Sequence, residues 1–543
     1  MAEPGSEVAD VVVVGFGAAG ACAAIEAVEA SDASGGEAKV LVLDRFSGGG
    51  ASAVSGGVVY AGGGTEQQRA AGVTDSVEAM YEYLRLEVGD VVSERTLRRF
   101  CAESPEMITW LERNGVPFEG SLCPYKTSYP NDDYYLYYSG SESAGGFRDA
   151  AKPAPRGHRA KGPGTSGKLL FAKLAKSARR RGVRVLPQTT VKRLRTDERG
   201  AVTGLLVRTL RDAPVWVRTA HRLLGRYAAK PGIYVPALRK ALHRRAESLE
   251  RRYARDLEIT ARRGVVLSAG GFIANRELVR EHAPAYRGGL ALGTSADDGS
   301  GIGLGVAAGG ATAWMHRISA WRFITPPSAF LGGVLVDAHG RRIIDESRYG
   351  AAIGEKLITE HDGKGWLLID DAIAAQAGRD ARRQSQWFQW LQALYLLRRG
   401  RVSARSVAEV ARRAGVDPDG LAATVAEYHA GGADPAGKPD EFVQPLRTPP
   451  FSLIDVSVKP NLGYPCPMLT LGGLVVDEDT GQVRGADGRG ITGLYAAGRS
   501  AVGICSRSYV SGLSLADCVF SGRRAGRSGA LAQRVLDKNE NVF

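Results

Sequence analysis

Cysteine is scarce in this chain: six among 543 residues, with no two in a Cys-x-x-Cys pair. Cys22, Cys101, Cys123, Cys466, Cys505 and Cys518 therefore offer neither a zinc knuckle nor a disulfide framework. Reduced thiols, buried or in a pocket, are expected, and no metal. Long apolar runs are missing as well, since none approaches the ~18 residues of a membrane span. Residues 1–10 are too polar for a secretory leader, which points to a cytoplasmic protein. Glycine is abundant, at 70 residues, and positive charge exceeds negative by 13. A hydrophobic content of 44% suits an ordinary globular core, and the length is ample for two domains.

The most informative stretch is ADVVVVGFGAAGACAAIEA, residues 9–27. Val11 to Val14 suit a strand buried on both faces. Gly15, Gly17 and Gly20 follow at Gly-x-Gly-x-x-Gly spacing, and an alanine-rich helix begins there. Gly15 allows the tight turn, Gly17 lets a pyrophosphate reach the backbone, and Gly20 brings helix and strand together. A second strand, KVLVLDR, ends in Asp44, 24 residues past Gly20 and near the spacing of a ribose-binding acid. This context of strand, glycine turn, helix and second strand marks a dinucleotide site.

Near the other end, GLYAAGRSAVG (493–503) reads as a strand and a turn at Gly498 and Arg499. SGLSLADCVFSGRRAG (511–526) then opens a helix at Ser511 and Gly512. With GGGASAVSGGVVYAGGG (48–64), RRGVVLSAGGF (262–272) and LTLGGLVVD (469–477), these ordered motifs resemble the FAD-binding flavoproteins of the fumarate reductase and ketosteroid dehydrogenase superfamily. The resemblance implies an α/β, Rossmann-like FAD domain with an inserted α+β capping domain. It implies FAD contacts from Gly15, Gly17, Ala18, Ala19, Gly20, Asp44 and Arg45, and from Gly50, Ala51, Ser52, Ser55, Gly56 and Gly57. Further contacts are implied for Ala269, Gly270, Asp298, Gly498, Arg499, Gly512, Ser514 and Leu515. Residues 48–64 hold no histidine, so the histidyl-flavin link of succinate dehydrogenase is unavailable and non-covalent FAD is expected.

On this plan residues 8–285 and 446–543 form the FAD domain, and 286–445 the substrate domain. GIGLGVAAGG, within 291–311, is expected to be helical despite its glycines, and 402–432 to form two short helices broken at Gly415 and Pro418. Much of the positive charge lies in an excursion at about 211–258. There Leu238, Leu242, Ala246 and Leu249 recur at helical spacing among arginines. One reading is a basic platform that docks on an anionic membrane, where hydrophobic substrates dissolve. The other is a solvated helix pair or a subunit contact. Interleaved glutamates argue against nucleic acid.

Three places offer chemistry. Tyr509 and Ser511 stand where the last helix begins, whose N-terminus can stabilise charge building up on a reduced flavin. Tyr349 lies in GRRIIDESRYGAAIG. CPYKTSYPNDDYYLYYSG (123–140) holds Tyr125, Tyr129, Tyr134, Tyr135, Tyr137 and Tyr138, a candidate pocket wall, with Tyr134 and Tyr137 as substrate contacts beside Gly512. Taken alone, a tyrosine is more often packing than catalyst. The resemblance changes this weighting for Tyr349 and Tyr509, which match the two tyrosines of the 3-ketosteroid dehydrogenases. The Tyr-Val-Ser-Gly run at 509–512 is similar to the branch that desaturates 5α-3-ketosteroids at C4–C5, whose working set adds the serine. Arg156 and His158, in a segment similar to that branch, receive no role, His158 reading best as a structural donor.

The alternatives are a fumarate-reductase-like flavoprotein reducing a small unsaturated acid, and a membrane-docking flavoprotein acting on another polycyclic ketone. Dicarboxylate enzymes need a catalytic arginine and further cations. Their Arg-Gly-Glu-Gly-Gly run is replaced here by PPSAFLGGVLVDAHGRR. The substrate implied is a hydrophobic, steroid-like ketone, with an electron acceptor left open. Its α-proton is removable only if the carbonyl oxygen is stabilised as an enolate. Tyr509 and a backbone N–H near Gly512 can do this, each donor contributing on the order of 3 kcal/mol. Tyr349 is the candidate base, relayed through Ser511. A phenol of pKa ~10 is a poor base at neutral pH, so its surroundings are expected to favour the phenolate.

Overall fold

The computed structural model describes residues 5–535. Val11 to Val14 are buried within the strand Gly5–Val14, which has parallel neighbours on both sides. Val14 aligns with Leu43 of Val40–Asp44 on one side and with Leu267 of Arg255–Leu267 on the other. Gly490–Ala496 and Arg184–Pro187 extend this sheet in parallel, so the β-branched run is central, as burial on both faces requires. Thr189–Thr196 and Val202–Thr209 add an antiparallel ribbon onto Arg255–Leu267.

Two helices cover the central strands. Ala18–Ala33 is almost entirely small residues, and Leu513–Leu531 crosses it through Gly522 and Gly526. A Cβ on Gly522 would come within 2.5 Å of Ala19 O, and one on Gly526 would lie 2.8 Å from Ala23 Cα, so the helices touch backbone to backbone. The segment 300–307 is helical as expected, and Val407–Ala414 and Pro418–His429 are the two short helices, parted by Gly415 in the left-handed region.

A second sheet has the antiparallel order Val334–Val336, Trp366–Ile369, Phe451–Asp455, Arg401–Ala404, with its own aliphatic core under surrounding helices. Phe451–Asp455 is an inner strand here. The return to the first unit expected at 446 therefore falls too early: the turn-forming residues around Pro449 and Pro450 interrupt the chain without ending the second core.

The excursion is a helical hairpin, Val215–Ala229 and Pro236–Tyr253, between two strands that pair with each other. Its buried stripe is the expected one in part: Ala246 is buried and Leu242 and Leu249 are half-buried. Leu238 is exposed, whereas Arg239 and Ala246 face inward, because the surface that receives the hairpin is partly polar. The apparent interleaving of charge also disappears in three dimensions. The hairpin's two acids, Glu247 and Glu250, pair with Arg45, and the outer face keeps the exposed cations.

Replacing Gly526 with valine inserts a branched side chain where the two central helices touch. We expect a loss of about 1–3 kcal/mol or more, the usual range for overpacking, measured as a lower denaturant midpoint than for Ala525→Gly.

Candidate functional site

The glycine motif divides into two kinds of requirement. Gly15 has φ +100°, and a Cβ there would lie 2.6 Å from Ser268 O. A Cβ on Gly20 would run into Gly15 O. Both glycines are demanded by strand–helix packing. Gly17 is different, since a Cβ would meet only Ser52 Oγ, at 3.6 Å. The protein leaves open space in front of Gly17, at a helix N-terminus with no acid in its first turn. That cradle fits a pyrophosphate.

The other expected cofactor residues converge on it. Ser52, in the short helix Gly50–Val54, accepts the Ala18 N–H at 3.0 Å. Ser55 supports the following turn, where Gly56 O accepts the Tyr129 hydroxyl and Gly57 N–H donates to Ser55 Oγ. Asp44 accepts N–H groups from Phe16, Phe46 and Gly48, which shape the loop after the second strand. Arg45 bonds Glu250 and Asp298, so its guanidinium ties neighbouring elements together. Gly270, next to Ala269, is stitched to Ser500 by two hydrogen bonds, and Arg499 pairs with Asp297. Arg499 Nη1 is buried without a partner, an orphaned cationic donor suited to an anionic cofactor. Gly498 packs against Ala19, and Gly512 (φ +91°) against Tyr60. Gly512 caps the Leu513–Leu531 helix, whose first turn includes Ser514 and Leu515 and carries no acid. Two helix N-termini with no acid in their first turns thus belong to one constellation, and its residues fit a bound FAD.

Beside Gly512 stands a box of aromatic rings. Tyr509 stacks on Trp321 (centroids 5.0 Å, planes 20° apart), and Tyr349 is edge-on to Phe323 at 5.3 Å. The two tyrosine rings are 6.3 Å apart. Tyr349 arrives at the start of the Gly350–Glu360 helix, its N–H held by Ser141 Oγ. Ser511 Oγ is 2.9 Å from the Tyr137 hydroxyl, which joins a residue of the tyrosine-rich segment to the catalytic candidates. Tyr134 packs instead edge-on against Tyr125, within the cluster that also includes Val58 and Cys123.

The electrostatics correct one expectation. Burial pushes the Tyr349 phenol well above its ordinary pKa, Tyr509 and Tyr137 add to this, and Ser511 offsets part of it. Burial likewise raises Tyr509, opposed by a hydrogen bond from the Gly512 backbone. The surroundings therefore favour phenols over phenolates, because an apolar pocket penalises the charged form. Arg499 offsets the rise at Tyr509 in part, but the arginines nearest in sequence to the aromatic residues point elsewhere. Arg322 bonds Tyr464 O and Ser457 O, and Arg348 lies over Phe147 and donates to Ser141.

His158 bonds Thr65 and the Arg156 carbonyl, and burial lowers its pKa to about 4; Arg156 forms a fully buried pair with Asp75. These contacts give both residues structural partners. Trp321 and Phe323 were not singled out from the sequence. The signal was present in the alternation Trp-Arg-Phe, whose two aromatic residues share one side of an extended segment.

A family model described as FAD binding domain matches residues 10–512. The chain is 38% identical over 508 residues to a 3-oxo-5-alpha-steroid 4-dehydrogenase of Comamonas testosteroni, covering 91% of this chain and 93% of the relative. Its structure superposes with a TM-score of 0.80 on a 3-ketosteroid-delta4-(5alpha)-dehydrogenase from Rhodococcus jostii RHA1, crystallised with 4-androstene-3,17-dione; identity is 31%, and 98% of each chain is covered. The open conformation of a flavocytochrome c3 fumarate reductase shares the fold, with a TM-score of 0.60 at 21% identity, covering 97% of this chain and 78% of that one.

Since Gly17 meets open space, Gly17→Val is expected to fold with unchanged circular dichroism yet purify without visible flavin absorption. A yellow Gly17→Val protein would refute the cradle.

Proposed function

The chain belongs to the FAD binding domain family, and from that premise we propose that it is an FAD-dependent dehydrogenase forming a C=C bond beside the ketone of a 3-ketosteroid, at C4–C5 of a 5α-3-ketosteroid. The aromatic box of Trp321, Phe323, Tyr349 and Tyr509, with neighbouring Arg322 and Arg348 turned away, carries this reading. Uncharged aromatic faces suit fused hydrocarbon rings and leave two carboxylates without partners. A small unsaturated diacid is thereby disfavoured.

Each turnover removes a proton from the carbon next to the ketone and a hydride from the carbon beyond it. Bound FAD supplies the acceptor for that hydride, at N5, and is held without a covalent bond. The chain's own residues handle the proton and the oxygen. Tyr509 donates to the ketone oxygen and stabilises the enolate, joined by the Gly512 N–H, which donates to the Tyr509 hydroxyl until substrate binds. A buried phenol that stays protonated is well suited to that task. Tyr349 takes the α-proton, and Ser511, bonded to Tyr137, passes it onward. Substrate binding also excludes water from the box, which strengthens each of these contacts.

Tyr349→Phe and Tyr509→Phe should retain acid-releasable FAD and slow single-turnover flavin bleaching by a saturated 3-ketosteroid by roughly 10²-fold; Ser511→Ala should lose less. Because the Tyr349 pKa is raised, the phenolate fraction in wild type grows with pH, and bleaching should still be rising at pH 9. Wild-type rates in both tyrosine variants would sink the assignment.

The hairpin's outer face supports a second element of this reading, contact with an anionic membrane. Trp216, Leu223, Tyr227 and Tyr234 are exposed there among Arg218, Arg222, Arg226 and Lys230. Aromatic and aliphatic side chains among cations suit a lipid interface rather than a span. No helix among the described residues is long and apolar enough to cross a membrane. Vesicles containing anionic lipid should sediment the protein at low salt, and Trp216→Ser/Tyr227→Ser should abolish this. Equal binding to neutral vesicles would exclude the electrostatic part.

A further inference from the structure

The inner face of the same hairpin remains unexplained by that chemistry. Arg239, His243, Ala246 and Glu250 succeed one another at helical spacing along its second helix and turn toward the body of the protein. Glu250 receives Arg45 through two hydrogen bonds, at 3.0 and 3.1 Å, and His221 of the first helix through a third at 2.9 Å. Burial opposes the charge on Glu250, but the His221 and Arg45 bonds prevail and hold its pKa at about 2. The His221 ring stacks on Phe46, with centroids 5.3 Å apart and planes 18° apart. Arg45 and Phe46 directly follow Asp44, at the ribose end of the dinucleotide motif, and Arg45 also bonds Asp298 at 3.3 Å. Both helices are therefore latched to that end of the groove.

Within the latch, Arg239 is 9% exposed and uses Nη1 on the Ala291 carbonyl at 3.1 Å. Its Nη2 is buried and has no partner, and neither has His243 Nδ1, one turn further along the helix. A buried donor without a partner costs free energy until something accepts its hydrogen. Ala291 begins the 291–298 loop that carries Asp297 and Asp298, the partners of Arg499 and Arg45. The spare Arg239 donor, with the free His243 Nδ1 beside it as an acceptor, thus lies between the hairpin and that loop.

We propose that the hairpin 215–253 is a clasp on the adenosine half of FAD. In this arrangement Arg239 Nη2 donates to an oxygen of the adenosine diphosphate half, and the Arg45–Glu250–His221 bonds hold the clasp shut. The proposal rests on the flavin assignment and not on the steroid one. It gives a reason for an insertion between two paired strands, because their ends deliver the hairpin to the adenosine end rather than to the aromatic box.

The test is the rate at which diluted holoenzyme releases flavin, followed by the rise in flavin fluorescence. Arg239→Ala and Glu250→Gln should each release FAD at least tenfold faster. The visible spectrum of the remaining bound flavin should stay unshifted, since the isoalloxazine end is not touched. Arg239→Lys, which keeps the charge and one donor, should fall between wild type and Arg239→Ala. Wild-type release in both Arg239→Ala and Glu250→Gln would overturn the clasp. So would faster release of Arg239→Ala accompanied by a lowered melting temperature that Arg239→Lys fails to restore, because that pattern marks a purely structural arginine. Should Arg239→Ala not fold, Arg239→Lys and Glu250→Gln decide. A protein inactive toward every steroid would give the same release rates, so this failure and that of the steroid reading are distinguishable.

Discussion

The contact between the Ala18–Ala33 and Leu513–Leu531 helices is the constraint on which the site depends. Gly522 and Gly526 let their helix approach Ala19 and Ala23 at backbone distance, and no larger residue fits there. This joins segments from near the two ends of the described residues and brings two helix N-termini, neither with an acid in its first turn, into one constellation. One lies at Gly17, where the open space fits a pyrophosphate, and the other rises at Gly512 beside the aromatic box. The cradle and the box are thus positioned by the same close approach. Glycine in a helix interior is unfavourable by about 1 kcal/mol relative to alanine, a cost that this proximity offsets.

The box shows how burial divides chemical roles. Desolvation holds Tyr349, Tyr509 and Tyr137 in their neutral forms. A neutral phenol donates well to a ketone oxygen, so burial favours the polarising role proposed for Tyr509. The same burial opposes the base role proposed for Tyr349, where a hydroxyl chain through Ser511 and Tyr137 spreads the developing charge. One environment therefore helps one tyrosine and hinders the other, and the hydrogen-bond partners distinguish them.

The hairpin separates charge in a comparable way. Its two acids turn inward to Arg45, and its outer face retains cations and exposed aromatic residues. An inner face latched at the adenosine end and an outer face suited to lipid make different demands on the same two helices. These demands coexist because helical periodicity assigns them to different residues.

By itself the sequence determined what depends on neighbours along the chain. The buried strand at Val11 to Val14, the division of labour among Gly15, Gly17 and Gly20, the helices at 300–307 and 407–429 and the helix opening at Gly512 all follow from local sterics and short periodicities. Family resemblance added Ser511 and singled out Tyr349 and Tyr509, which no spacing could have selected from 19 tyrosines. Tertiary structure decided whatever depends on what lies opposite. Phe451–Asp455 joined the second sheet because its pairing partners are there, despite the prolines before it. Leu238 faced outward and Arg239 inward because the receiving surface offers a carbonyl and an ion pair. Ser511 met Tyr137 across 374 residues, and the tyrosines shifted toward the phenol because their neighbours exclude water. A residue's own chemistry is written in the chain, but the solvent and partners it meets are set only when distant segments pack.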